Sequence, residues 1–241
     1  MSAPMIAHRL VRRIRRLCRR LVLALIVGGG AGLAVVGLSL ALVRSVDPPL
    51  TAVMVERAWR GARLDQRLVT LNAISPNLVH AVIAAEDARF CAHRGVDWAA
   101  VRQAWSERAE GRFRGGSTLS QQTVKNVFLW NGGGWFRKGL EAGLTVIVDP
   151  FWGKRRVLEI YLNLAEWGDG LFGAEAAAQA RFGKPAAALS ADEAALLAAV
   201  LPNPNARRLD PPNPQTRAYA RTIQARMAIV RRDGLAACVF D

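Results

Sequence analysis

The sequence predicts a mainly α-helical domain preceded by one transmembrane helix. Residues 21–43 form an uncharged run of 23, nearly all apolar. From Ser75 onward nearly every segment carries helical periodicity or a helix-capping signal, and glycine and proline clusters mark the breaks between segments. A chain of 241 residues has room for a membrane anchor and one domain, with enough length for a substantial core.

As a helix the apolar run would span about 34 Å, enough to cross a bilayer core with some tilt. Its five glycines weaken a soluble helix but are tolerated in lipid. Arg9, Arg12, Arg13, Arg15, Arg16, Arg19 and Arg20 precede it, and no acidic residue occurs before Asp47. This asymmetry predicts a cytoplasmic basic segment at 1–20, a membrane span at 21–43 and a catalytic domain on the periplasmic or outer side. A cleavable signal peptide shares the layout, but the apolar run is too long and no convincing small-residue cleavage site follows it.

Much of the +14 formal charge belongs to the anchor region. With the eight arginines up to Arg44 set aside, 25 Lys and Arg face 19 Asp and Glu, so the exported part carries about +6. A basic face of that kind suits anionic lipid head groups or a phosphate-bearing substrate. Nucleic acid is disfavoured, because the domain would face away from the cytoplasm. Cys18, Cys91 and Cys238 have no metal spacing, and His8, His80 and His93 include no pair at metal-binding helical spacing, which argues against a zinc hydrolase. A Cys91–Cys238 disulfide stays open, although sequence alone weighs against it.

Asp47-Pro48-Pro49 ends the membrane helix, and residues 44–74 read as a stalk and lead-in with a turn at Gly61. The domain proper is expected at 75–241. Ser75 caps its first helix with Pro76 at the first helical position. Further helices are expected near 97–110, 117–129, 136–150, 154–165, 172–182 and 214–232. Ser190 with Glu193 forms a capping box before an Ala/Leu-rich helix. Breaks fall at Gly132-Gly133-Gly134, Gly168-Asp169-Gly170, Gly183-Lys184-Pro185 and Pro202-Asn203-Pro204.

Glu86 shares the apolar stripe of Val79, Val82 and Ile83. A carboxylate there is costly to leave charged, so its pKa should rise and it can serve as a base near neutral pH. Gly115-Gly116-Ser117 opens the helix near 117, where backbone amides and the helix dipole suit an anion. Thr118, Gln121, Gln122 and Lys125 follow at helical spacing as a polar stripe, either gripping a glycan or pyrophosphate or forming a solvated face. Arg137, Lys138 and Glu141 could be a surface ion-pair group, or Arg137 and Lys138 could meet a pyrophosphate leaving group while Glu141 positions them or contacts the transferring sugar. In the segment from Lys154, Val157, Leu158, Tyr161 and Leu162 should face the core. Phe128, Leu129, Trp130, Trp135 and Phe136 make an aromatic patch that suits either core packing or membrane contact.

Taken in order, Glu86-Asp87-x-x-Phe90-x-x-His93-x-Gly95, Gly116-Ser117-Thr118-x-x-Gln121-Gln122, Arg137-Lys138-x-x-Glu141 and Lys154-x-x-Val157-Leu158-Glu159-x-Tyr161-Leu162-Asn163 resemble the motifs of the family 51 peptidoglycan glycosyltransferases. The similarity runs over about residues 78–204. It implies a lysozyme-like, mainly α glycosyltransferase domain with a smaller membrane-proximal lobe. The implied reaction polymerises lipid II into glycan strands, releasing undecaprenyl diphosphate with inversion at the anomeric carbon, in cell wall biogenesis. By the resemblance Glu86 is the general base and Glu141 the second carboxylate. Lys125, Arg137 and Lys138 meet diphosphates, and Ser117 and Gln121 line the cleft.

No serine has a Lys three positions later, as the S-x-x-K nucleophile of a penicillin-binding domain requires. No cofactor is required by the sequence, and a divalent cation such as Mg²⁺ bridging diphosphate oxygens is chemically reasonable. Implied partners are lipid II, the undecaprenyl diphosphate-linked glycan, membrane lipids and other cell-wall synthesis proteins.

One position departs from the pattern. Where many members carry an Arg eight residues before the second Glu, this chain has Gly133. A phosphate contact would be lost, or supplied by another cation such as Arg114, and Gly133→Arg would be expected to tighten donor binding. Two other functions stay in view: a membrane-anchored lipid II-binding scaffold with weak or no catalysis, and a lytic glycan-cleaving enzyme on the same kind of fold.

Overall fold

The computed structural model describes residues 3–109, 116–204, 206–207, 209 and 211–240. Arg114 and Gly115, two of the residues considered above as anion contacts, lie outside them. The chain divides into two compact units, Met1–Val46 and Asp47–Asp241. The first is helix α1 (Ala3–Ser45). Its stretch Arg19–Ser45, with a mean hydropathy of 2.4, is long and apolar enough to cross a membrane.

The second unit is helical. Its helices are α2 (Ala52–Trp59), α3 (Pro76–Glu86), α4 (Trp98–Ala109), α5 (Leu119–Phe128), α6 (Gly134–Trp152), α7 (Lys154–Leu164), α8 (Ala174–Phe182), α9 (Ala191–Val200), α10 (Pro214–Arg232) and α11 (Ala237–Phe240). Local chemistry sets their starts. The Ser75 hydroxyl accepts from the Asn77 amide ahead of α3, with Pro76 where a missing N–H costs nothing. Thr118 and Gln121 close a capping box on α5, Ser190 and Glu193 another on α9, and Asn213 caps α10.

Two packed groups frame the cleft. In one, α3 lies against α9 and α10. Ala81 and Ala84 of α3, Ala194, Ala195, Ala198 and Ala199 of α9 and Ala220 of α10 are all buried, and such small side chains let helix backbones approach closely. In the other, α5 packs on α6 and α7, with Val157, Leu158, Tyr161 and Leu162 buried as the periodicity of α7 predicts. A small sheet in the order β1–β3–β2 comprises β1 (Asp65–Gln66), β2 (Glu166–Gly168) and β3 (Leu171–Phe172). β3 runs parallel to β1 and antiparallel to β2.

The segment read as a stalk and lead-in contributes α2 and β1 to this unit. Cys91 and Cys238 form a disulfide, which the sequence had weighed against. It joins the 3-10 turn Phe90–Ala92 to α11. Arg155 reinforces that junction by donating to the Val239 carbonyl oxygen at 2.6 Å.

Candidate active site

Glu86 ends α3, and the residues after it act as girders. Asp87 accepts from the Leu119 amide of α5 at 3.0 Å and from His93 Nε2 at 2.9 Å, tying the end of α3 to the start of α5. His93 therefore carries its proton on Nε2, leaving Nδ1 to face the Lys154 ammonium at 3.4 Å. Lys154 pairs with Asp149 at 2.9 Å and lies 4.5 Å over the Phe90 ring. Asp149 also accepts the Ser120 hydroxyl.

Gly95 has φ +86°, and a Cβ there would meet the Thr145 carbonyl oxygen at 2.8 Å, so α6 can approach only a glycine. In the motif Glu86-Asp87-x-x-Phe90-x-x-His93-x-Gly95, Asp87, Phe90, His93 and Gly95 thus serve structure. Glu86 lines a cavity of about 240 Å³ with Arg89, Asp97, Gln103 and Ser117.

The Glu86 carboxylate accepts from Gln122 Nε2 at 2.8 Å, and the Tyr161 hydroxyl donates to Gln122 Oε1 at 3.3 Å. Burial pushes the Glu86 pKa above the usual carboxylate value. The Gln122 hydrogen bond and the Arg207 charge pull it down, while Asp87 adds to the rise.

The polar stripe of α5 therefore divides. Thr118 and Gln121 are each 3% exposed, and the Gln121 carboxamide oxygen accepts the Thr118 amide at 3.0 Å as part of the cap. Gln122 turns to Glu86 and, with Lys125, lines a cavity of about 500 Å³ together with Arg57, Asn126, Asn131 and Tyr161. The solvated-face reading fails, since Thr118 and Gln121 are buried. The helix also begins at Leu119, two residues later than expected, because Thr118 is its cap.

Facing this stripe, α6 carries the second group. Glu141 is 2% exposed and accepts from Arg137 Nη1 at 2.6 Å and from Lys138 Nζ. Lys138 also donates to the Ser117 hydroxyl at 2.6 Å. Ser117, Lys138, Glu141 and Arg137 are therefore one connected cluster, and burial of Glu141 removes the surface-pair reading. Burial lowers the Lys125 pKa. The Glu141 charge opposes that fall, and Arg137 and Lys138 deepen it, which places Lys125 within electrostatic reach of the same cluster. Among the described residues Lys125 has no ion-pair partner. The structure thus gathers Lys125, Arg137, Lys138, Glu141 and Ser117, with Ser117 also lining the Glu86 cavity and Gln122 joining Glu86 to the Lys125 cavity. Gln121 lines a third cavity, of about 610 Å³, with Ser117, Arg137, Lys138, Trp98, Trp105 and Trp135.

Gly133 corrects one expectation. It is the N-cap of α6 at φ +74°, and a Cβ there would lie 2.8 Å from Arg137 Cβ and 3.1 Å from Trp130 Nε1. Arg137 meanwhile donates from Nε to the Gly132 carbonyl oxygen at 2.6 Å. An arginine at 133 would displace the existing cation before adding its own charge. The aromatic patch also divides. Leu129 is buried and Phe128 packs 5.8 Å from Trp152, whereas Trp135 and Phe136 are 73% and 74% exposed, so core packing does not account for those two.

Tyr161 and Arg207 were not singled out as site residues in the sequence. Tyr161 reads as core by its spacing, although a phenol on a buried face must find a hydrogen-bond partner, and that requirement was the available signal. Arg207 lies in a turn with no motif to mark it.

The helical domain thus presents a desolvated carboxylate, Glu86, and a cation cluster anchored on the buried Glu141. The chain belongs to the transglycosylase family, whose model matches residues 53–232. It is 56% identical to a biosynthetic peptidoglycan transglycosylase of Rhodospirillum centenum over 95% of this chain and 98% of that one. Proteins of the same description from Caulobacter vibrioides (48% identical, 95% and 99% covered) and Salmonella heidelberg (49% identical, 88% and 87% covered) are also similar to it.

Proposed function

We propose that this peptidoglycan glycosyltransferase polymerises lipid II with Glu86 as general base and Lys125, Arg137 and Lys138 as the cations that receive the departing diphosphate. Glu86 takes the proton from the 4-hydroxyl of the N-acetylglucosamine of lipid II as that oxygen attacks the anomeric carbon of the growing strand. The bond to the diphosphate oxygen breaks, undecaprenyl diphosphate leaves, and attack from the opposite face inverts the anomeric centre. Developing negative charge on the leaving oxygen is met by preorganised cations, so no protonated acid is needed there. Glu141 acts by holding Arg137 and Lys138 in place.

The observation that carries this reading is the separation of two electrostatic environments. Glu86 is desolvated and bonded to a neutral amide, while the cations gather around Glu141 and Ser117. Among the described residues no cluster of His, Cys, Asp or Glu could hold a metal ion, so a divalent cation such as Mg²⁺ would be brought by the substrate and would supply further charge to the leaving group. The exposed Trp135 and Phe136 suit contact with membrane lipid, and the arginines ahead of the apolar run at 21–43 suit an amino terminus inside and a catalytic domain outside. A reporter fused after Asp241 should be active only when it requires export; activity solely in a cytoplasm-requiring reporter would refute that topology.

Purified full-length protein incubated separately with lipid II and with mature peptidoglycan tests the reaction. Polymer from lipid II with release of undecaprenyl diphosphate is expected. Cut strands without polymer would establish the lytic alternative, and tight binding without turnover the scaffold.

A further inference from the structure

The cluster on Lys125 and Glu141 does not explain what favours the charged form that a desolvated Glu86 needs to act as a base. Around it stand Asp87, Arg89 and Asp97 lining the same cavity, Tyr161 from α7 and Tyr219 from α10. Arg89 faces Asp97 at 3.6 Å, so its charge is largely offset. Asp87 opposes ionisation of its neighbour. Both tyrosines are pushed to higher pKa by burial and then by the Glu86 charge, which places the carboxylate near two neutral phenols.

Arg207 packs on Tyr219. It lies in the turn between α9 and α10, its Nη1 donates to the Ala199 carbonyl oxygen at 2.6 Å, and its guanidinium sits 4.9 Å from the centre of the Tyr219 ring. The Tyr219 hydroxyl in turn reaches the carbonyl oxygen of Ala85, the residue before Glu86, at 3.5 Å. A helix-end carbonyl and an aromatic face thus hold this cation, and the same ring reaches the end of α3. A guanidinium keeps its charge at any working pH, so its field on Glu86 is permanent.

We propose that Arg207 is a positioning residue for the transfer reaction, supplying the charge that keeps the Glu86 carboxylate ionised, with Tyr219 as the platform that holds the guanidinium in range. The assignment rests on Glu86 being the base. It requires no contact between Arg207 and substrate. Because the cation acts through the protonation state of Glu86, its removal should matter where that group titrates and vanish where it is fully ionised.

The test is the pH dependence of lipid II polymerisation at saturating substrate by full-length wild type, Arg207→Gln, Arg207→Lys and Tyr219→Leu, with Glu86→Gln alongside. Arg207→Gln should move the acid limb of the profile to higher pH, with a severalfold loss on the acid side and wild-type rate on the alkaline plateau. Arg207→Lys should restore most of the limb, and Tyr219→Leu should shift it in the same direction as Arg207→Gln. A uniform loss at every pH, or an unshifted limb, would overturn the proposal. If Arg207→Gln does not fold, Tyr219→Leu decides by the same criterion. Near-wild-type polymerisation by Glu86→Gln would instead remove the base itself, which separates failure of that reading from failure of this one.

Discussion

Placing an arginine at Gly133 should damage the protein, although a cation one turn before the Arg137 cluster looks like a gain on paper. The backbone at 133 is left-handed, φ +74°, and a side chain in that region costs roughly 1 to 2 kcal/mol. The new Cβ would sit 2.8 Å from Arg137 Cβ, so α6 must shift its first turn, at a cost of roughly another 1 to 3 kcal/mol. Together these come to about 2 to 5 kcal/mol, or a fall of about 5 to 15 °C in melting temperature for a domain of this size. The same shift pulls Arg137 away from Gly132 and Glu141, so the half-saturating lipid II concentration should rise.

Thermal melts of full-length Gly133→Arg and Gly133→Ala in detergent, paired with rates at several lipid II concentrations, separate strain from charge. Alanine should already show much of the destabilisation. A neutral Gly133→Ala, or a stable Gly133→Arg with tighter donor binding, would refute the reasoning.

Three further outcomes follow from the site. Lys125→Ala should lower turnover by far more than the ~0 to 1 kcal/mol of an exposed pair, because Lys125 lies desolvated in a cavity; a near-neutral effect on kcat/KM would remove it from the machinery. Replacing Cys91 and Cys238 by serine opens a cross-link between residues 147 apart, so unfolding titrations should show a loss of about 2 to 5 kcal/mol, and unchanged stability would contradict a structural role for the disulfide. Glu86→Gln should stabilise the fold at neutral pH. The Glu86 pKa is higher folded than unfolded, so its contribution is favourable below the unfolded pKa and is lost as pH rises through the folded pKa. The melting-temperature gain of Glu86→Gln should therefore shrink on acidification, and a gain independent of pH would contradict the desolvation of Glu86.

Helix caps were the most legible part of this fold. Ser75 and Ser190 sit where side-chain oxygens meet free amides, a chemistry that needs no tertiary information. The strands were not legible, because two or three residues such as Asp65–Gln66 are too few to display alternation. Helix α2 escaped because it is eight residues long and mixes arginine and glutamate with its buried Val53 and Met54.

In the site, the apolar spacing around Glu86 foretold its desolvation, since burial follows from periodicity. The partners of Glu86 did not follow. Gln122 is 36 residues away in sequence, and tertiary contacts such as the Leu119 amide donating to Asp87 bring it opposite. Likewise Arg137, Lys138 and Glu141 were readable as neighbours on one turn, but the burial of Glu141 depends on how α6 packs against α5. The Cys91–Cys238 pairing required the approach of chain segments far apart in sequence, which spacing cannot supply.

The central claim is that Glu86 is the base in glycan polymerisation, and Glu86→Gln tests it most directly. The amide keeps the shape of the side chain and a hydrogen-bonding capacity toward Gln122, but it cannot accept the proton of the attacking hydroxyl. Full-length wild-type and Glu86→Gln proteins, matched for folding by circular dichroism, would be given lipid II and followed by gel separation of the glycan products. The account predicts that polymerisation falls on the order of a hundredfold or more while lipid II binding persists. A folded Glu86→Gln protein that polymerises lipid II at close to the wild-type rate would contradict it.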